Sequence, residues 1–423
     1  MSELLLQGVR LNGGGRYDIL IRGNRIAEIG DSVSTTAGRV IDCSRFYAIP
    51  GLFNLHTHGA MTLMRGVGKG LSLQNWLAEI WSIENHLDHE AIYWGSKLAV
   101  LEMIKTGTTC FADMYWHPAV TADVVDEMGI RASLSYVMLD GGDAGKAELQ
   151  RAACIKAAKK AAGRSDRVSF SVAVHADYTV NEDNMLWAAR FARENGYKLQ
   201  AHVAETEQET KDDFERFGCS PVRHFDRLGL IDENFIAAHC VWVDDVDIET
   251  LGSRRATVVH NVNSNMMLSS GYKFKYNELR DAGANVCIGT DGCGSSDNLD
   301  VRESMKTMLL LQRAWRKDPK AMPLDELLAV ATTNGARALG IDAGRIEVGA
   351  LADIALVDVR RSQFVPDFNF LGNYILAADS SCVDTLICDG KIVMENRKVA
   401  GEDEILDKAE ELAWKLMRKA KNI

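Results

Sequence analysis

Between Pro50 and about Gly349, eight apolar runs alternate with helix-like stretches, and that alternation narrows the folds open to this chain. The runs are Phe53–His58, Thr108–Met114, Arg131–Met138, Val168–His175, Lys198–Glu205, Phe235–Cys240, Ala256–Asn261 and Asn285–Asp291. They are rich in Val, Ile, Ala and Cys without strict polar alternation, as strands buried on both faces of a parallel sheet must be. Eight βα units predict an α/β fold of the (β/α)₈ TIM-barrel type, whose usual size is about 250 residues or more. A doubly wound open sheet is the alternative.

The two ends of the chain read differently. Asp18–Arg22 and Arg25–Ile29 flank Gly23-Asn24, a two-residue hairpin signal. Ala352–Val357 and Thr385–Met394 look similar, with Asp389-Gly390 as a turn. Residues 1–49 and 350–400 are therefore expected to form one small, discontinuous β-sandwich domain, and residues 50–349 the barrel. Pro50 stands at that boundary. Ile405, Ala409, Leu412 and Leu416 recur at helical spacing and predict a C-terminal helix over 401–423.

Composition excludes several functions. The chain has 423 residues, is 47% hydrophobic and 25% charged, which is the balance of a soluble globular protein. Its net charge of −11 argues against nucleic acid as a partner. No run approaches the ~18 apolar residues of a membrane span, so no membrane partner is expected, and the N-terminus lacks a signal-peptide pattern. Nine scattered cysteines without a C-x-x-C pair exclude zinc ribbons and thioredoxin-like centres, and read as buried thiols in a reducing cytoplasm.

The histidines carry the chemistry. His56 and His58 end the first run, His175 the fourth, His202 the fifth, His239 the sixth, His260 the seventh, and Asp291 ends the eighth. In a TIM barrel these strand ends converge on one face, where the active site sits. His56-Thr57-His58 places two imidazoles on the same side of a strand, able to approach one metal ion. His202 and Asp291 at equivalent strand ends would complete a set suited to a divalent ion that activates water.

Pro50-Gly51-Leu52-Phe53-Asn54-Leu55-His56-Thr57-His58, His202-Val203-Ala204-Glu205-Thr206, Ala238-His239-Cys240, His260-Asn261 with Ser264-Asn265, and Gly289-Thr290-Asp291-Gly292 together resemble the amidohydrolase superfamily. Within it they are most similar to the S-adenosylhomocysteine/5′-methylthioadenosine deaminase and chlorohydrolase branch. The resemblance implies one metal ion held by His56, His58, His202 and Asp291. Zinc is the ion it points to, with iron or another first-row metal as alternatives. It implies Asp291 as proton acceptor from water, Glu205 as proton shuttle and His239 as stabiliser of the intermediate. A helix-start carboxylate is the plain alternative for Glu205. Binuclear amidases of the hydantoinase type need a lysine on the fourth strand, and Val172-Ala173-Val174-His175 has none.

For the substrate, Met61, Leu63, Met64 and Trp76 are expected to supply apolar walls, with Trp81 read as core packing. Glu84 matches a ribose contact of nucleoside-deaminating relatives, against an ordinary exposed glutamate. His175 is expected to touch substrate and Ser295 to bond the base. Relatives that handle S-adenosylhomocysteine often carry arginines after the third strand, where this chain has Tyr136 and Lys146. Val262 and Met267 replace a usual proline and lysine. The expected function is metal-dependent hydrolytic deamination of an adenosine-type nucleoside: 5′-methylthioadenosine, S-adenosylhomocysteine, 5′-deoxyadenosine or adenosine. An uncharged 5′ substituent is favoured. Hydrolysis of another heteroaromatic C–N or C–Cl bond (a guanine-like base, a pterin, an s-triazine) is the alternative, and a silent binding protein the remote one. Relatives of this kind are commonly homo-oligomers.

Overall fold

The computed structural model describes residues 3–11, 14–35 and 38–421. Five strands come first: β1 (Glu3–Arg10), β2 (Arg16–Arg22), β3 (Arg25–Gly30), β4 (Arg39–Asp42) and β5 (Phe46–Pro50). The eight apolar runs follow as β6 (Leu52–Thr57), β7 (Thr108–Tyr115), β8 (Arg131–Met138), β9 (Val168–Val174), β10 (Lys198–Val203), β11 (Phe235–His239), β12 (Thr257–His260) and β13 (Asn285–Ile288). Three more, β14 (Ile354–Asp358), β15 (Val383–Cys388) and β16 (Lys391–Met394), close the set.

Strands β6 to β13 pair in sequence order, all parallel, as a nearly closed barrel rather than an open doubly wound sheet. The seam between β13 and β6 is tied at its C-terminal end. The Asp291 N–H donates to the His56 carbonyl at 3.0 Å, and the Asn54 side chain reaches the Thr290 N–H at 3.0 Å and its hydroxyl at 2.7 Å. Gly289 is required here, since a Cβ on it would lie 2.9 Å from the His56 carbonyl oxygen.

The end strands form one sheet in the order β16-β15-β14-β5-β1-β2-β3, with β4 beside β1. One face buries Leu6, Val9, Ile19, Ile26, Phe46, Ile354, Leu356 and Ile387, so the two chain ends build a small sandwich-like unit with its own core. Gly23 and the Asp389-Gly390 pair take positive φ at the two hairpin turns, as their sequences demand. The helix Glu402–Lys421 buries Ile405, Ala409, Leu412 and Leu416, the four residues whose spacing predicts it. Ala409, Leu412 and Leu416 pack in one cluster with Met61, Leu63, Met64, Trp76, Leu77, Ile80 and Ile83.

The strands end sooner than their apolar runs. β10 stops at Val203 and β13 at Ile288, where the composition suggests strand through Glu205 and Asp291. The backbone turns left-handed at or just past the strand ends, at Ala204 (φ +49°), His239 (φ +76°), Cys240 (φ +47°) and Asp291 (φ +64°). Hydrophobic periodicity carries no information about such turns, and they aim the polar residues across the barrel mouth.

Barrel and end sheet are locked by a buried ion network. The Arg131 guanidinium, from the start of β8, meets Asp353 at 2.7 Å and Asp389 at 2.7 Å; Arg131 is 3% and Asp353 0% exposed at the side chain. Removing the cation strands a buried carboxylate, which costs about 3–5 kcal/mol. Arg131→Ala is expected to lose that much stability by urea unfolding, and a loss under about 1 kcal/mol would contradict this role.

Candidate active site

Five side chains from four strand ends meet over the barrel. The Asp291 Oδ1 lies 3.0 Å from His58 Nε2 and 3.4 Å from His56 Nε2, and His202 Nε2 lies 3.3 Å from His58 Nε2. Ligand atoms of His56, His202, His239 and Asp291 all fall within 4.8 Å of one another. His58 joins this group through its contacts to Asp291 and His202. All five residues are buried.

The cluster is built for a cation. His56 is 0% exposed and neither ring nitrogen has a hydrogen-bond partner among the described residues. Burial pushes the His56 and His202 imidazoles below their ordinary range, so both favour the neutral form that ligates. Burial acts on His58 the same way, but the Asp291 carboxylate outweighs it and lifts the ring to about 9. Three imidazoles with one carboxylate fit a divalent ion.

Each ring is oriented from behind. His58 Nδ1 lies 2.7 Å from the Met114 carbonyl oxygen, and His202 Nδ1 lies 2.7 Å from that of His175. Both bonds fix an Nδ1–H tautomer and leave Nε2 free to ligate. The Asp291 Oδ2 accepts from Ser264 at 2.6 Å and Ser295 at 3.0 Å. His239 is held differently, with Nδ1 2.9 Å from the Asn265 amide and Nε2 3.7 Å from the Glu205 carboxylate.

Glu205 faces the cavity over the cluster, buried. Burial, with Asp291 and Glu209 nearby, pushes its carboxyl well above the ordinary range, which favours the protonated acid. The helix-start role considered for Glu205 belongs instead to Glu209. Thr206 caps the helix Glu207–Phe217, and Glu209 returns the bond in a capping box. The Glu209 carboxylate also accepts from the N–H groups of Ala204 (2.9 Å) and Glu205 (2.7 Å), pinning the backbone that aims Glu205. The motif Thr206-x-x-Glu209 is the signal that could have revealed it.

The cavity is walled by Met61, Leu73, Trp76, Trp81, Tyr115, Trp116 and Leu268, with Glu84, His175 and Tyr178 among its polar lining. Trp81, read from sequence as core packing, lines it, with its ring 6.3 Å from that of His175. Glu84 is no exposed glutamate: it is 7% exposed and accepts from the Tyr115 hydroxyl at 2.6 Å. Ser295 is turned onto Asp291 and does not line the cavity, and Leu63 and Met64 lie in the packing beneath. His260 is likewise remote, stacked on Phe274 at 4.0 Å. Asp113, unmarked by any motif, is buried and accepts from the Gly59 N–H at 2.7 Å, fixing the turn after His58.

The space directly above the cluster is about 50 Å³. It adjoins a cavity of about 430 Å³, sharing Trp81, Glu84 and Trp116 with it. Among the described residues no arginine or lysine lines either space, and Tyr136 and Lys146 line neither.

A parallel barrel with a buried imidazole–carboxylate cluster at its strand ends, and an acid facing that cluster, defines a site for metal-assisted hydrolysis. The chain belongs to the amidohydrolase family, whose pattern matches residues 47–393. It is 41% identical to a 5′-deoxyadenosine deaminase of Methanoregula boonei, over 99% of this chain and 96% of that protein. It is 40% identical to a 5-methylthioadenosine/S-adenosylhomocysteine deaminase of Thermococcus sibiricus, over 93% of this chain and 94% of the other. The crystal structure of a zinc-bound adenosine deaminase from Xanthomonas campestris superposes with a TM-score of 0.93 at 29% identity, covering 100% of this chain and 99% of that one.

Glu84 makes the site pH-sensitive. Burial pushes its carboxyl up to about 7, against the opposing pull of Tyr115 and His58. The folded chain keeps this proton where the unfolded chain, near 4.5, has lost it. Stability therefore falls as pH rises from 4.5 to about 7. Glu84→Gln is expected to flatten that dependence in urea unfolding across this window; equal slopes in both proteins would contradict it.

Proposed function

We propose that this protein is a hydrolytic deaminase of adenosine-type nucleosides bearing a small neutral 5′ group, with 5′-deoxyadenosine and 5′-methylthioadenosine as its best substrates. The observation that carries the reading is Glu205, buried and facing a cluster of imidazoles and one carboxylate across a cavity walled by tryptophans. The names of the relatives at about 40% identity support it. The 5′ preference rests on the lining, which offers no cation to an amino-acid carboxylate.

His56, His58, His202 and Asp291 would hold one divalent ion, and zinc is proposed because the adenosine deaminase neighbour binds it. When bound, the ion supplies Lewis-acid activation of water near neutral pH. The purine lies among Trp76, Trp81 and Met61, and Glu84 accepts from the ribose hydroxyls with Tyr115 behind it. Protonated Glu205 donates to the ring nitrogen N1 as water adds at C6. Asp291 takes the water's second proton and returns it to the departing amino group, which leaves as ammonia. The new C6 hydroxyl gives its proton to Glu205 and becomes the carbonyl of the inosine-type product. His239 donates a hydrogen bond from Nε2 to the C6 oxygen as charge develops there. His175 packs beside the ring, and Ser295 steadies Asp291.

We also assign residues 1–49 with 350–400, 50–349 and 401–423 as the three structural units. A reducing cytoplasm suits nine cysteines that are all free thiols. No helix among the described residues is long and apolar enough to cross a membrane.

Ammonia release from zinc-loaded protein tests the assignment. Turnover of 5′-deoxyadenosine and 5′-methylthioadenosine is expected, with S-adenosylhomocysteine at least about tenfold poorer in kcat/KM, a difference of about 1.4 kcal/mol. No turnover of any adenosine-type nucleoside would refute it. Glu205→Gln is expected to retain zinc and lose about 10²–10⁴-fold in kcat; near-full activity would remove its proton-shuttle role.

A further inference from the structure

A second cluster of ligating side chains lies away from the first. Asp177 follows β9, Asp213 lies on the helix Glu207–Phe217, and His224 lies on the helix Pro221–Arg227. One ligand atom from each falls within 4.8 Å of the other two, and all three residues are buried. The Asp177 side chain is 0% exposed, yet neither of its oxygens has a hydrogen-bond partner among the described residues. The same holds for Asp213 Oδ2 and His224 Nδ1.

These orphaned atoms face one another. His224 Nε2 lies 3.2 Å from Glu182 Oε1, and so donates its N–H there. That bond turns Nδ1 inward, 3.7 Å from the Asp177 carboxylate. Two carboxylates and an imidazole nitrogen thus converge on one buried point. Burial of unpaired acceptors at this density is costly unless a cation fills the gap. A carboxylate behind a histidine, turning its other nitrogen inward, is also how protein metal sites orient their ligands. Stacking of His224 on Phe217, with ring centres 3.8 Å apart, fixes the ring's direction.

We propose that Asp177, Asp213 and His224 bind a second divalent first-row metal ion, held by mixed oxygen and nitrogen ligands and structural in role. Zinc, manganese or cobalt suits that donor set. A neighbouring cleft of about 390 Å³, lined by Tyr178, Glu209, Asp213 and Arg216 among others, gives the ion a path from solvent. The ion ties the loop that follows His175 to the helix that follows Glu205, two segments that flank the active-site mouth. It competes with a proton shared between the carboxyls: burial and the Asp177 carboxylate push the Asp213 carboxyl up to about 10.

Metal content decides between ion and proton. Full-length protein saturated with zinc chloride and then desalted is expected to carry two zinc ions per chain by mass spectrometry. Asp213→Asn and His224→Gln are each expected to carry one and to melt at lower temperature. The double variant His56→Ala/His58→Ala, which removes the first cluster, is expected to keep the second ion. One ion in the wild-type chain, or two in folded Asp213→Asn, would overturn the proposal. If both single variants fail to fold, the zinc anomalous map of wild-type crystals decides. A peak among Asp177, Asp213 and His224 supports the site, and no peak there overturns it.

Discussion

Closure of the barrel and construction of the active site depend on one residue. Asp291 follows the last barrel strand, and its N–H donates to the carbonyl of His56, the residue that begins the metal motif on the first strand. Its positive φ then throws the carboxylate inward, 3.0 Å from His58. A left-handed conformation in a non-glycine residue costs about 1–3 kcal/mol and persists only where the surroundings over-determine it. Here the surroundings are the Asn54 clasp on Thr290, the close approach at Gly289, and the hydroxyls of Ser264 and Ser295 on Oδ2.

The remaining groups follow the same economy of placement. Main-chain carbonyls of Met114 and His175 turn the two ligating rings, so the strand next door sets the tautomer. Glu209 gathers the N–H groups that precede its helix and so presents Glu205 to the cavity. Burial, reinforced by Asp291 and Glu209, pushes the Glu205 carboxyl well above its ordinary range and so favours the acid that faces the cavity.

The barrel was legible because both-face burial leaves a compositional mark on every strand, and the strand-end histidines stood out by position. The end sheet was legible through its turns, Gly23-Asn24 and Asp389-Gly390. Where each strand stops was not, since the turns at Ala204 and Asp291 depend on tertiary contacts. Ser295 bonds Asp291 instead of the cavity, and Trp81 lines the cavity besides packing on the core, because sequence gives neighbourhood but not direction. Asp113 and the Asp177–Asp213–His224 group were invisible, because their partners come from separate elements with no shared motif. Glu209 had a readable capping motif in Thr206-x-x-Glu209.

Asp291→Asn isolates the central claim, because it keeps the N–H that closes the seam and removes the charge that completes the cluster. The decisive measurement is its rate of ammonia release from 5′-deoxyadenosine, on protein whose circular dichroism matches wild type. A folded variant whose kcat/KM falls by more than about a hundredfold is expected. A folded variant within about tenfold of wild type would place the chemistry elsewhere.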